Sequence, residues 1–294
     1  PDSSTNSSYL SGILVQKAAL NLRLPIRKAR RSIMEIKLGF IGFGNMAQAI
    51  AKGLIGAGVL PGSQMYACAA HFDKLQRTAG ELGVHPMATA QEVVEHSDWV
   101  ILAVKPYLIE QVVVPVAQLL AGKVVVSVAA GWTLERYQQI LPQGTHCICT
   151  VPNTPVAVGE GIFVCEQSHS LSEQEFAQFE QLFSPIALIE MIDTNHLSAA
   201  GTLSGCTPAF TAMYLEALSD AGVKYGLTRA ASYRIAAKML CGTGKLYLQT
   251  GTHPGAMKDA VCSPGGTTIR GVSALEKAGF RGAVIGAIDE IEGK

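Results

Sequence analysis

The chain has 294 residues, of which 48% are hydrophobic and 16% are charged, and its formal net charge is zero. This is the composition of a globular protein that is long enough for two domains. Residues 1–33 hold six of the 23 Lys and Arg residues and one of the 23 Asp and Glu residues, so the remainder is mildly acidic, which argues against nucleic acid as a partner.

Residues 1–33 also differ from the rest in pattern, because they open with a Ser/Asn-rich run and close with Arg-Lys-Ala-Arg-Arg. A leader of cloning origin, an organelle transit peptide and a basic arm are three competing interpretations. Since the first residue is Pro1 and Met34 directly precedes a strand pattern, we favour a dispensable leader, with a transit peptide second. We therefore predict domains at residues 34–194 and 195–294.

The first strand pattern, at residues 35–42, leads into G-x-G-x-x-A and then a helix pattern over residues 48–57. In this strand–turn–helix context the motif is a dinucleotide-binding fingerprint. The first glycine makes the tight turn, the second lets the backbone approach a pyrophosphate, and the small Ala47 lets helix and strand pack closely. The pyrophosphate is then expected at the helix N-terminus.

Further strand patterns follow at residues 65–69, 99–104, 124–128 and 146–150, with a helix pattern at 73–82. Such alternation predicts an α/β fold with a parallel, doubly wound Rossmann-type sheet. Ligands bind at the carboxyl ends of strands in such sheets. The predicted cofactor-binding residues are Gly42, Gly44, Asn45, Met46, Ala69, His71, Ala103, Val104, Lys105, Pro106, Ala129, Ala130 and Gly131.

The end of the second strand bears on the choice of cofactor. NAD-specific sites place an acid there for the ribose 2′-hydroxyl, but this strand ends at Ala69, and Asp73 begins the next helix pattern. With His71 and Lys74 nearby, a 2′-phosphate is tolerated, so NADPH is favoured over NADH. The alternative is that His71 and Lys74 are simply solvated helix residues.

From about His196 the strand patterns fade, and helices are predicted at residues 209–225, 229–249, 254–261 and 267–278. Small and apolar residues extend around more than one face of the first of these helices. A helix buried on several sides indicates a partner subunit, so we expect a homodimer or a larger assembly of dimers.

A Ser-Pro-Gly-Gly-Thr-Thr stretch at residues 263–268 interrupts this helical region. The glycines allow close approach of a ligand, and Thr267 and Thr268 can cap a new helix, so the loop resembles an anion-binding helix N-terminus. An ordinary helix–turn–helix junction is the alternative.

The seven cysteines form no CxxC motif and no zinc-finger spacing with histidine, so no metal site is predicted. Cys147 and Cys149 would share one face of a strand, which indicates packing. Reduced thiols predict a cytoplasmic protein. No apolar run reaches the length of about 18 residues that a membrane span requires, so no membrane association is expected.

Five motifs together resemble the pyrroline-5-carboxylate reductase family over residues 34–290. The motifs are Gly-Phe-Gly-Asn-Met-Ala at 42–47, Ala-Val-Lys-Pro at 103–106, Pro-Asn-Thr-Pro at 152–155, Leu-Ser-Gly-Cys-Thr-Pro-Ala at 203–209 and Val-Cys-Ser-Pro-Gly-Gly-Thr-Thr-Ile at 261–269. The resemblance implies an enzyme that reduces 1-pyrroline-5-carboxylate to L-proline with NAD(P)H, the last step of proline biosynthesis. It also implies a Rossmann domain followed by an all-helical dimerisation domain, with the active site between the cofactor and the helical domain of the partner subunit.

The resemblance assigns Thr268 as the catalytic hydroxyl that hydrogen-bonds the ring nitrogen. It also implies a set of residues around the substrate. The predicted substrate-binding residues are Ser263, Gly265, Gly266, Thr267, Thr268 and Asn153. Two rival interpretations are another reductase of this two-domain plan, similar to β-hydroxyacid dehydrogenases, and a non-catalytic NADP-binding paralogue.

Overall fold

The computed structural model describes residues 36–293 of the chain, and the leader predicted for residues 1–33 lies outside them. The strands are β1 (Leu38–Ile41), β2 (Met65–Cys68), β3 (His85–Pro86), β4 (Trp99–Leu102), β5 (Val124–Ser127), β6 (His146–Pro152), β7 (Gly161–Glu166) and β8 (Ala187–Ile192). The first six helices are α1 (Asn45–Gly56), α2 (Phe72–Gly80), α3 (Ala90–Glu95), α4 (Ile109–Val113), α5 (Leu134–Gln138) and α6 (Glu173–Phe183). The remaining helices are α7 (Leu197–Gly205), α8 (Thr207–Lys224), α9 (Arg229–Thr250), α10 (Pro254–Asp259), α11 (Thr267–Lys277) and α12 (Phe280–Glu292).

The eight strands form one sheet in the order β3-β2-β1-β4-β5-β6-β7-β8. Parallel pairing links β1 to β2 and β4, β2 to β3, and β5 to β4 and β6. The first six strands thus have the 3-2-1-4-5-6 order of a dinucleotide-binding sheet, in which the crevice lies where the order reverses, between β1 and β4. The predicted doubly wound fold class is confirmed.

The central strands β1, β4 and β5 are buried at every residue. Their runs Leu-Gly-Phe-Ile, Trp-Val-Ile-Leu and Val-Val-Val-Ser are therefore near-continuously apolar, as a parallel sheet covered on both faces requires. Cys147 and Cys149 on β6 are 2% and 1% exposed and belong to the hydrophobic core beside this sheet. The prediction that these two thiols pack is confirmed.

Residue contacts divide the chain into two compact units. The first contains the described residues up to Thr150 together with residues 154–163 and 168–189. The second contains Val151–Asn153, Val164–Gln167 and residues from 190 onward. The four helices predicted for the C-terminal region correspond to α8, α9, α10 and α11, each with bounds within two residues of those predicted.

The second unit leaves much apolar surface uncovered by its own chain. Residues 241–250, the second half of α9, are all exposed, and this segment includes Leu246, Tyr247 and Leu248. On α8 and α12, Met213 and Ile285 are 67% and 61% exposed. Large apolar side chains exposed on several helices of one unit are typical of a surface that another protein chain covers. No helix among the described residues is long and apolar enough to cross a membrane.

Candidate active site

The turn between β1 and α1 depends on Gly42, whose backbone has a φ of 91°. A Cβ at this position would lie 2.7 Å from the carbonyl oxygen of Ala103. The Gly42 N–H donates to the carbonyl of Cys68 at 3.0 Å, and the Ala103 N–H donates to the carbonyl of Ile41 at 2.9 Å. The turn is therefore packed against the ends of both neighbouring strands, which leaves no room for a side chain.

Gly44 is the N-cap residue of α1 and leaves the helix N-terminus open. No side chain caps this terminus, and its first turn contains no acidic residue. A Cβ built on Gly44 would meet nothing within 4 Å, so its position faces free space. Unpaired N–H groups and the positive end of the helix dipole point at that space, which suits a phosphate group. The residues present therefore fit a dinucleotide.

A cleft of ≈ 370 Å³ lies elsewhere in the first unit, on α5 and the segment before β6, but a larger one of ≈ 810 Å³ runs along the carboxyl ends of β1, β2, β4 and β5. All residues that line the larger cleft belong to the first unit. Eleven of the thirteen residues predicted to bind the cofactor line it, namely Gly42, Gly44, Asn45, Met46, Ala69, Ala103, Val104, Lys105, Pro106, Ala129 and Ala130.

His71 and Gly131 are the two predicted residues that do not line this cleft. His71 is the exposed N-cap residue of α2, and Gly131 is an exposed residue with a φ of 78°. Asp73 lies in the first turn of α2, as predicted.

The cleft also has lining residues that were not among the predicted cofactor-binding residues. They are Ile41, Phe43, Cys68, Ala70, Ala88, Ala90, Leu108, Val112, Val128 and Thr154. Leu108 and Val112 are four residues apart, a spacing that places two side chains on the same side of a helical segment, and this is the sequence signal that could have predicted their place together.

The cleft is mainly apolar, with few polar groups. Among its lining residues in the described chain, Lys105 carries the one charged side chain. Burial raises the pKa of the Cys68 thiol above its usual range, so the floor of the cleft presents a neutral thiol to an anionic ligand. Apolar walls with a few convergent polar groups are typical of cofactor sites.

The Ser-Pro-Gly-Gly stretch forms a tight turn in the second unit, before α11. The Gly266 N–H donates to the carbonyl of Ser263 at 3.0 Å, and Gly265 has a φ of 69°. Proline followed by a glycine with positive φ is the pattern of a type II turn. The Gly266 amide is thus engaged within the turn.

The N-cap residue of α11 is Gly266, and no side chain makes a capping bond there. The prediction that Thr267 or Thr268 caps this helix was therefore wrong. Because the turn brings the backbone into the helix at Gly266, the two threonines occupy its first two helical positions. Both are exposed in the single chain. The first amides of a helix have no intrahelical acceptor, so those of Thr267 and Thr268 point out of the helix end.

The side chains of Asn153 and His253 each make a hydrogen bond to the backbone of the second unit. Asn153 is 5% exposed, and its Nδ2 donates to the carbonyl oxygen of Ser204 at 3.0 Å, a contact within the second unit. His253 is the N-cap residue of α10, where its Nδ1 accepts from the Gly255 N–H at 3.0 Å.

Comparison with known proteins adds to this geometry. Residues 194–294 match the family model described as pyrroline-5-carboxylate reductase dimerisation. Residues 37–131 match the model described as NADP oxidoreductase, coenzyme F420-dependent. The chain is 44% identical over 257 residues to pyrroline-5-carboxylate reductase of Treponema pallidum, a match that covers 86% of this chain and 97% of the relative. The chain belongs to the pyrroline-5-carboxylate reductase family.

Other similarities agree with this assignment. Pyrroline-5-carboxylate reductase of Escherichia coli is 39% identical over 257 residues, which cover 87% of this chain and 95% of the relative. The structure of the Plasmodium falciparum pyrroline carboxylate reductase, which has NADP bound, matches with a TM-score of 0.78 at 27% identity, over 88% of this chain and 96% of that one. The protein is therefore an oxidoreductase with a nicotinamide-cofactor domain and a helical dimerisation domain, and it forms a homo-oligomer.

Proposed function

We propose that this enzyme reduces 1-pyrroline-5-carboxylate to L-proline with NADPH, as the last step of proline biosynthesis. The observation that carries the proposal is the sequence identity of 44% to the pyrroline-5-carboxylate reductase of Treponema pallidum, in a match that covers 97% of that protein. The open N-terminus of α1, the glycine turn before it and the cleft at the strand ends support it, because together they suit a pyridine dinucleotide.

The substrate is a cyclic imine that carries a carboxylate, and its reduction needs a hydride on the imine carbon and a proton on nitrogen. A reduced nicotinamide supplies the hydride, while the protein supplies position and electrostatics. We assign the carboxylate to the N-terminus of α11, where the amides of Gly265, Thr267 and Thr268 and the hydroxyl of Ser263 hold it. Gly266 contributes by shaping the turn, since its own N–H bonds Ser263.

Thr268 is assigned to the ring nitrogen. Its hydroxyl is not used to cap α11, so it is available to orient the nitrogen and relay a proton. A strong general acid is unnecessary because the imine is basic enough to arrive protonated. We propose that Asn153 lies beside the substrate, with its side chain fixed by the hydrogen bond to the carbonyl oxygen of Ser204.

The direct test is oxidation of NADPH, followed at 340 nm, with and without 1-pyrroline-5-carboxylate, and identification of the product by mass spectrometry. We expect oxidation that depends on the imine and yields L-proline in equal amount. NADPH binding without any turnover of the imine would contradict the proposal and favour the non-catalytic alternative. Turnover of a β-hydroxyacid instead would favour the other reductase class.

The preference for NADPH over NADH is tested at the end of β2. Ala69→Asp introduces a carboxylate beside the ribose, which repels a 2′-phosphate, and we expect the KM for NADPH to rise roughly five- to tenfold. The KM for NADH should stay the same or fall. Ala69→Asn is the matched control, because it has nearly the same size without the charge. Equal changes in both variants would contradict a role of charge at this position.

We propose that the homo-oligomer is a dimer, or a larger assembly of dimers, built on the exposed face of α9. Leu248, which is 69% exposed in one chain, is the test residue. Leu248→Glu is expected to reduce the mass measured by sedimentation, because it places a charge in an apolar interface. Val158→Glu, at a position 78% exposed in the first unit, introduces the same charge as a control and should leave the mass unchanged. A wild-type monomer at micromolar concentration would contradict the proposal.

We also propose the limits of the two domains and the cellular location of the protein. The start of the dimerisation match at residue 194 supports a boundary between a cofactor domain at residues 34–194 and a helical domain at 195–294. All seven cysteines are free thiols, which supports a reducing compartment, and we propose the cytoplasm.

A further inference from the structure

Trp132 connects two loops that line the cleft. It follows β5 and the lining residues Val128, Ala129 and Ala130, and it is 2% exposed. Its indole Nε1 donates to the carbonyl oxygen of Pro106 at 3.0 Å. Pro106 ends the Ala-Val-Lys-Pro loop that follows β4 and lines the same cleft. One partly buried hydrogen bond therefore joins the β4 loop to the β5 loop.

The β5 side of this connection is itself held in place. The rings of Trp132 and Tyr137 lie 4.7 Å apart, and the Tyr137 hydroxyl bonds the Ser127 Oγ at 2.8 Å. The same Oγ accepts from the Ala129 N–H at 3.2 Å. The indole is thus fixed against the end of β5, and the position of its N–H is fixed with it.

A cation that lies over the indole ring provides a second connection. The guanidinium carbon of Arg136 lies 3.7 Å from the centre of the Trp132 ring, a cation–π contact. Arg136 also pairs with Glu110 at 3.2 Å, and Glu110 belongs to α4, which follows the β4 loop. The helices that follow the two loops, α4 and α5, are therefore also joined, through the arginine that lies over the indole ring.

A role in core packing alone does not account for this arrangement. The Pro106 carbonyl already accepts from the Ile109 N–H, so it would not be left without a donor if the indole bond were absent. The bond gives the buried indole N–H its acceptor, and on the side of the carbonyl it adds position, because it fixes how far Pro106 lies from the β5 loop.

We propose that Trp132 is a positioning residue that holds the β4 and β5 loops at the separation the cofactor requires. The inference rests on the proposed function, in which these loops bind NADPH. Without the bond, the loops take up the binding-competent arrangement for only part of the time, and the apparent affinity falls by that fraction. Once bound, the cofactor itself fixes the loops, so the chemical step is little affected.

The test is Trp132→Phe in the full-length oligomer. We expect the Kd and the KM for NADPH to rise about three- to tenfold. The kcat at saturating NADPH should change less than about twofold, and the KM for 1-pyrroline-5-carboxylate should not change. Trp99→Phe is the matched control, because Trp99 is buried to a similar degree but lies at the start of β4, at the opposite end of the strand from the loop that lines the cleft.

The outcomes separate the inference from the function on which it rests. A wild-type protein that binds no NADPH would overturn both. A normal NADPH affinity in Trp132→Phe, or an equal loss in Trp99→Phe, would overturn the inference alone. If Trp132→Phe does not fold, 3-benzothienylalanine incorporated at position 132 in the Trp99→Phe background replaces only the N–H by sulfur. It should show the same selective loss, and normal affinity there would likewise overturn the inference.

Discussion

Thr268→Ala is expected to lower kcat/KM for 1-pyrroline-5-carboxylate by on the order of 10- to 100-fold. A single strong electrostatic donor contributes about 10²–10³ in rate, and we expect less because the substrate brings its own positive charge to the nitrogen. The Kd for NADPH should be unchanged, since the cofactor cleft consists of residues of the first unit. Steady-state kinetics and a fluorescence titration with NADPH measure the two quantities.

The controls for this prediction distinguish chemistry from folding. Thr268 is exposed near the start of α11, where alanine has the higher helix propensity, so the substitution should not reduce stability. Thr268→Ser retains the hydroxyl and should recover most of the activity. Unchanged kcat and KM in Thr268→Ala would remove the residue from the catalytic site, and a failure of serine to rescue would indicate a role for the methyl group instead.

Gly42→Ala is expected to abolish measurable NADPH binding and to destabilise the first unit. Alanine at a φ of 91° is strained, and its Cβ would lie 2.7 Å from the Ala103 carbonyl oxygen. A strained residue of this kind costs about 1–3 kcal/mol. Relaxing the clash requires movement of the β4 loop. Thermal unfolding and an NADPH titration should therefore both report a loss.

Gly44→Ala is the matched comparison and should separate the two effects. Gly44 has a φ of −78°, and its Cβ would face free space, so alanine is accommodated in the folded chain. Alanine is a poorer N-cap residue than glycine but makes the unfolded chain less flexible, so the free energy of unfolding should change by less than about 1 kcal/mol. NADPH affinity should nevertheless fall about tenfold or more, because the new methyl group occupies the space through which the pyrophosphate approaches the backbone. Normal NADPH affinity in Gly44→Ala would contradict the assignment of this turn.

The cofactor half of the fold was predictable because its signals are local. The turn at Gly42 and the apolar runs of β1, β4 and β5 each lie within a few residues of sequence, and the parallel order follows from β–α alternation. The long helices α8 and α9 were predictable for the same reason. Their ends are marked by residues such as the N-cap Thr228 and the C-cap Gly251.

Other elements lacked a readable local signal. β3 is two residues long, too short for any periodicity to register. α7 is rich in glycine, serine and threonine, which are poor helix formers, so its helical state depends on tertiary contacts such as the bond from Thr202 to Glu292. α6, in contrast, begins with a capping box between Ser172 and Glu175, a signal that was present in the sequence but not used.

The candidate site divides in the same way. Most residues of the cofactor cleft follow from strand ends, whereas Leu108 and Val112 lie in the helical segment that follows the β4 loop. In the substrate loop, residue types alone suggested capping by Thr267 or Thr268. The turn closed by Ser263 and Gly266 instead makes Gly266 the N-cap, a choice of backbone conformation that composition does not determine.

The exposed second half of α9 has a thermodynamic consequence. A ten-residue helical segment with Leu246, Tyr247 and Leu248 in solvent gains little free energy from its own chain, so much of its stability must come from association. Folding and assembly are then linked by mass action, and the midpoint of thermal unfolding rises with protein concentration. On dilution, the helical unit should therefore unfold before the Rossmann sheet does.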